Sequence, residues 1–64
     1  MVYINGEQKD AAGTTVAEYL DALGLRRDRI AVELNEQIVS ESAYAQTLLQ
    51  DEDVMEIVSF VGGG

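Results

Sequence analysis

One helix, marked at both ends, lies between runs that read as strands. Thr15-Val16-Ala17-Glu18 has the form of a capping box. The Thr15 hydroxyl can accept from an early helical N–H while the Glu18 carboxylate reaches back to the Thr15 N–H. Val16, Tyr19, Leu20 and Leu23 then recur at the i, i+3, i+4, i+7 spacing of one apolar face. Gly24 stands where a left-handed glycine ends a helix. Arg26 and Arg27 follow, where they favour the negative end of the helix dipole. A short helix with one apolar face has to bury that face against another element.

The flanking segments supply it. Val2-Tyr3-Ile4 are strand formers, and Asn5-Gly6 is the strongest short hairpin signal, because both residues tolerate the positive φ of a type I′ turn. A second strand through Glu7–Asp10 pairs back, with Lys9 and the acids on a solvated face. After the helix, Ile30, Val32 and Leu34 alternate with Ala31, Glu33 and Asn35, as in a half-buried strand. Asn35-Glu36 turns the chain into a short strand, Gln37-Ile38-Val39. Ser40 to Gln50 is weakly patterned. Tyr44, Leu48 and Leu49 have partial helical spacing there, which predicts a loop with one short helical turn. Asp51-Glu52-Asp53 is an acidic turn, and Val54 to Val61 is the longest strand signal. This order predicts an α+β domain: a mixed sheet of four to five strands with one main helix packed on one face. The strand order is not fixed by these signals.

A chain of 64 residues is one domain at most, with little room for a deep active-site cavity. It contains no cysteine, which removes disulfides, zinc-thiolate sites, iron–sulfur clusters and persulfide chemistry on its own side chains. It contains no histidine, the commonest general base and metal ligand, so no catalytic or metal site is expected. Twelve acids stand against Lys9, Arg26, Arg27 and Arg29, for a net charge of −8. Nucleic acid repels such a chain, and a partner with a basic surface captures it faster at low salt. Neither a signal peptide nor an apolar run of membrane-spanning length is visible. The expected location is the cytoplasm, with no membrane partner.

The sequence ends on Gly62-Gly63-Gly64. One reading is a terminus with no role, since the ends of most domains are poorly ordered. The other starts from what glycine lacks. Without Cβ atoms, these residues form a thin, permissive strand that can thread a narrow channel and place the Gly64 carboxylate in another protein's active site. The glycines follow a predicted strand with no polar linker between. A carboxylate is a poor electrophile and needs activation, normally as an acyl-adenylate formed with ATP. The chain has no phosphate-binding loop, histidine or cysteine to do this, so it is expected to be the substrate of a separate enzyme and not itself an enzyme.

Taken in order, these features resemble the thiamine-biosynthesis sulfur carriers of the ThiS type. The resemblance rests on Ile4-Asn5-Gly6-Glu7, Thr15-Val16, Leu20 to Gly24, Ala31 to Asn35, Ile38-Val39, Asp51 to Asp53, Glu56-Ile57-Val58 and Val61 to Gly64. It implies the β-grasp, or ubiquitin-like, arrangement, as one domain over residues 1–61 with a flexible glycine tail at 62–64. It also implies a cycle. An E1-like adenylyltransferase activates Gly64 with ATP, a sulfur donor enzyme displaces AMP to leave a C-terminal thiocarboxylate, and thiazole synthase receives the sulfur. No cofactor is held by the carrier itself. Two departures stand out. The family usually has glycine between the two acids of the last turn, where this chain has Glu52, and it often has Pro-Arg where this chain has Ser40-Glu41. The first bears on the tightness of the turn, and the second removes any contact made by that arginine.

Two related identities stay open: the small sulfur-carrying subunit of molybdopterin synthase, whose members are usually longer, and a ubiquitin-like modifier conjugated through Gly64. A plain binding module with an inert tail is a third reading. For docking, alternation along the last strand points Val54, Glu56, Val58 and Phe60 one way and Met55, Ile57, Ser59 and Val61 the other. Both sets are largely apolar, and one helix covers only one face. The open face is therefore expected to expose an apolar patch of the kind that marks an interaction site, with Val58 and Phe60 as the contacts and Gly62 and Gly63 threading into the partner.

Overall fold

The computed structural model describes residues 1–60. Its elements run β1 (Val2–Ile4), β2 (Glu7–Lys9), α1 (Val16–Leu23), β3 (Ile30–Leu34), β4 (Gln37–Val39) and β5 (Val54–Ser59), with short 3-10 helices at Arg27–Arg29 and Glu41–Gln46. The strands form one sheet in the order β2-β1-β5-β3-β4. β5, the last strand, is at the centre. It pairs parallel with β1 and antiparallel with β3. A mixed five-stranded sheet with one main helix across it is the β-grasp arrangement.

Two hairpins flank β5, and both use type I′ geometry. Asn5 and Gly6 have φ of 51° and 84°, and Asn35 and Glu36 have φ of 51° and 70°. Each hairpin also grips the central strand through its asparagine. The Asn5 N–H donates to the Met55 carbonyl at 3.0 Å, and the Asn5 side chain goes on to bond Ile57. Asn35 donates its N–H to the Val54 carbonyl at 2.7 Å and accepts the Val54 N–H on Oδ1 at 2.9 Å. The turn residues thus satisfy ladder groups at the places where β1 and β3 end.

The capping box is formed in both directions. Thr15 Oγ1 accepts from the Glu18 N–H at 3.0 Å, and Glu18 Oε1 accepts from the Thr15 N–H at 2.8 Å. Gly24 ends the helix in the left-handed conformation, φ 71°. The buried helical residues are Val16, Ala17 and Leu20. They meet Val2, Ile4, Val32 and Met55 from the sheet, with Tyr44 and Leu49 from the segment between β4 and β5 closing the side. Burial pushes the Tyr44 phenol above its ordinary pKa, and the nearby Glu41 charge acts the same way.

One sequence expectation is corrected. Leu23 shares a helical face with Val16 and Leu20 yet is 52% exposed. It ends the helix, where a depression bounded by Tyr19, Leu25 and Ile57 lies open to solvent. Ala17 is buried in its stead. Leu48 is exposed as well, and its neighbour Leu49 fills the core. Arg26 and Arg27 follow Gly24, beyond the last turn of α1. Arg27 pairs with Asp21 at 2.9 Å, and Arg26 pairs with Asp28 at 3.0 Å.

The acidic turn keeps its tight form with Glu52 in the middle. Glu52 takes φ of 76°, a left-handed conformation that suits glycine, and its N–H donates to the Met1 carbonyl at 2.7 Å. Asp53 Oδ2 accepts the Gln50 N–H at 2.8 Å, Asp53 Oδ1 accepts from Asn35 Nδ2 at 3.0 Å, and Asp51 pairs with the Met1 ammonium. Two of the turn's three acids are thus engaged within the fold.

Candidate functional site

The site is built on β5 and the face of the sheet that α1 leaves uncovered. Alternation along β5 sends Met55 into the core and leaves Ile57 half-buried beside it, while Val54, Glu56 and Val58 face outward. Val58 is 53% exposed and Phe60 56%. Phe60 lies just past β5, and its N–H still donates to the Arg29 carbonyl at 2.7 Å. Backbone hydrogen bonding along this edge therefore continues to the last described residue, one position beyond the β3 pairing. The tail residues Gly62, Gly63 and Gly64, and Val61 before them, lie outside the described residues.

Register sets the neighbours of Val58. Ala31 stands opposite it on β3, Glu33 stands opposite Glu56, and Ile38 of β4 stands opposite Glu33. Residues opposite one another in an antiparallel pair share a face, so Ala31, Glu33, Ile38, Glu56 and Val58 form one surface. Between them is a shallow concavity of about 120 Å³. Ile38 is 73% exposed, the most open of the large apolar side chains described. Apolar clusters left exposed on small domains are a common feature of interaction sites.

Alternation along β5 set Val58 on the face opposite Met55, and the packing of Met55 into the core decides that Val58 faces outward. Alternation could not reveal Ile38, because a three-residue strand carries too little pattern to fix its face. Nor could it reveal the Glu33–Glu56 pair, which exists only through the β3–β5 register. Arg29, whose carbonyl accepts from the Phe60 N–H, was equally invisible. Its side chain makes no ion pair among the described residues, whereas Lys9 pairs with Glu7 at 3.1 Å and Arg26 and Arg27 have the partners given above.

Chemically the described surface offers apolar contact and carboxylates. Among the described residues no group of three or more acidic side chains is placed to hold a metal. No helix is long and apolar enough to cross a membrane. Such a face can dock a protein.

The chain is similar to known proteins along nearly its whole length. It is 36% identical over 64 residues to the sulfur carrier protein ThiS of Thermus thermophilus, with all of both chains covered. It is 42% identical to a thiazole synthase of Magnetococcus marinus, a match covering 98% of this chain and 20% of that protein. The chain thus spans about a fifth of the length of that synthase. The crystal structure of the thiamine biosynthesis protein ThiS from Geobacter metallireducens superposes with a TM-score of 0.77 at 33% identity, covering 98% of this chain and 97% of that one. The ThiS family model matches residues 2–64, and with the fold and the relatives in agreement the chain belongs to the ThiS family.

Proposed function

We propose that the chain is a cytoplasmic sulfur carrier for thiamine biosynthesis, working as a co-substrate of partner enzymes and not as a catalyst. The Gly64 carboxylate attacks the α-phosphate of ATP on an E1-like adenylyltransferase, releasing pyrophosphate. A sulfide equivalent from a sulfur donor enzyme then attacks the acyl carbon and expels AMP, which leaves a thiocarboxylate. That sulfur is delivered to a thiazole synthase. The synthase relative supports this acceptor, because the stretch similar to this chain belongs to a protein of that name.

The observation that carries the reading is the position of β5. The central strand pairs with β1 at Val54 and Met55 and with β3 through Ser59, bonding on the β3 side continues from Phe60 to Arg29, and the sequence then goes directly to Val61-Gly62-Gly63-Gly64. A fixed root lets docking through Val58 and Phe60 determine where the glycines enter a partner, and precise placement of a reacting group is what such attachment supplies. The test is intact mass spectrometry after incubation with ATP, the cognate adenylyltransferase and a sulfide source. The expected product has one oxygen replaced by sulfur at the C-terminus. An unchanged mass, from an enzyme that converts another ThiS carrier in parallel, overturns the reading.

A further inference from the structure

The open face carries a feature that works against its own stability. Glu33 and Glu56 stand directly opposite each other across β3 and β5 on the same side of the sheet. Like charges in that relation are destabilising. Glu33 is half-buried and Glu56 exposed. None of the described ion pairs engages either one, since the amino terminus and the paired side chains Lys9, Arg26 and Arg27 all meet other carboxylates. Around the two acids the surface is apolar, with Ala31, Ile38 and Val58 lining the same concavity.

We infer that this concavity receives the guanidinium of an arginine presented by an apolar surface of the adenylyltransferase, held between Glu33 and Glu56. The inference rests on the carrier reading above. A guanidinium is planar and offers five N–H donors in a fixed fork, so one side chain can serve two carboxylates at once. Its weak hydration and flat faces suit a site whose walls are methyl groups. Charge complementarity selects the class of occupant. The chain carries −8 overall, so long-range attraction and local pairing favour the same basic partner. A second copy is disfavoured by the same acids, because packing two such faces together would gather four carboxylates with no cation between them.

The roles within the face differ accordingly. Val58, Ile38 and Phe60 provide contact area, and the acid pair provides selectivity. Uncomplexed, the pair is a source of repulsion. In the complex it becomes a receptor, and the repulsion is relieved only by the correct partner.

Glu33→Gln, Glu56→Gln and the double variant test this, with Glu7→Gln as an exposed control on β2. The probe is the cognate adenylyltransferase, titrated calorimetrically at low and at moderate salt, with thermal melting of each free variant. Each single variant is expected to melt at or above the wild-type temperature and to bind about tenfold more weakly, as expected when one member of an interfacial charge pair is lost. The double variant should lose less than the product of the two singles, because both acids hold one cation. Glu7→Gln should bind within about twofold of the wild type. Wild-type-like binding by all the variants overturns this inference alone and leaves the carrier reading standing. A wild type that binds neither this enzyme nor a thiazole synthase removes both. Sedimentation provides the remaining arm: a wild-type dimer that Ile38→Asp disperses would put a second copy on the face and overturn the proposal.

Discussion

Asn5 acts as a strand residue beside Ile57: its Oδ1 accepts the Ile57 N–H at 2.8 Å and its Nδ2 donates to the Ile57 carbonyl at 3.3 Å. The side-chain amide thereby extends the β1–β5 ladder past the point where β1 turns away. Asn5 also holds φ of 51°. Asn5→Ala removes both bonds and places alanine in a left-handed conformation, so a loss of about 2–4 kcal/mol is expected from the two effects together. Asn5→Gly keeps the turn and loses only the bonds, so its cost should be about half of that. Urea denaturation of the two variants separates the contributions.

Glu52 offers the opposite experiment. Its φ of 76° costs about 1–2 kcal/mol for a residue with a Cβ, while glycine there gives back about 0.4–1 kcal/mol through the freer unfolded chain. Glu52→Gly is expected to stabilise the protein by about 0.5–1 kcal/mol. The Glu52 N–H bond to Met1 is a backbone contact and persists. A rise in the urea midpoint with an unchanged slope is the readout.

Phe60→Ala and Val58→Ala should change stability by less than about 0.5 kcal/mol, as exposed positions do, whereas truncating a buried aromatic costs about 3–5 kcal/mol. Their effect belongs to binding, where a weaker complex with the adenylyltransferase is expected. Equal melting temperatures with reduced affinity is the outcome that assigns them to docking.

Gly63→Val preserves chain length and the terminal carboxylate but adds a branched side chain and removes access to positive φ. On the carrier reading, pyrophosphate exchange falls about a hundredfold, the scale of a misplacement of about 1 Å, and circular dichroism is unchanged. Gly62→Ala is expected to be milder. Wild-type exchange by Gly63→Val would make the glycines a spacer and nothing more.

Tyr44 sets an alkaline limit. Its folded pKa is raised above the ordinary value of 10.0, so the folded state holds its proton to higher pH than the unfolded state. Stability from this source is complete below pH 10.0 and is lost as pH rises from there through the folded pKa. Tyr44→Phe should flatten that fall while leaving the slope near neutrality as it was, and denaturation midpoints measured between pH 7 and 11 check it.

What could be read from the sequence was local in the chain. Asn5-Gly6, the Thr15–Glu18 box and Gly24 each act within a few residues, so their geometry follows from residue identity. That Val58 and Met55 lie on opposite faces was also legible, because strand alternation is a local rule, but which of them faced the helix was not. The strand order was not, since the contacts that set it join residues such as Asn5 and Ile57, 52 positions apart. The same distance problem hid the Glu33–Glu56 pair. Leu23 was misjudged because a helical face says which residues align, and not how far the opposing sheet extends beneath them.

The central place of β5 also sets when this domain can fold. Its interior seam is closed by residues 54–59, which dock between two hairpins made much earlier during synthesis. A nascent chain that stops before Val54 lacks the strand that joins the two hairpins into one sheet, and a lone hairpin is marginal in water. Folding is therefore delayed until nearly the whole domain has left the ribosome, and pairing over such long loops is intrinsically slow.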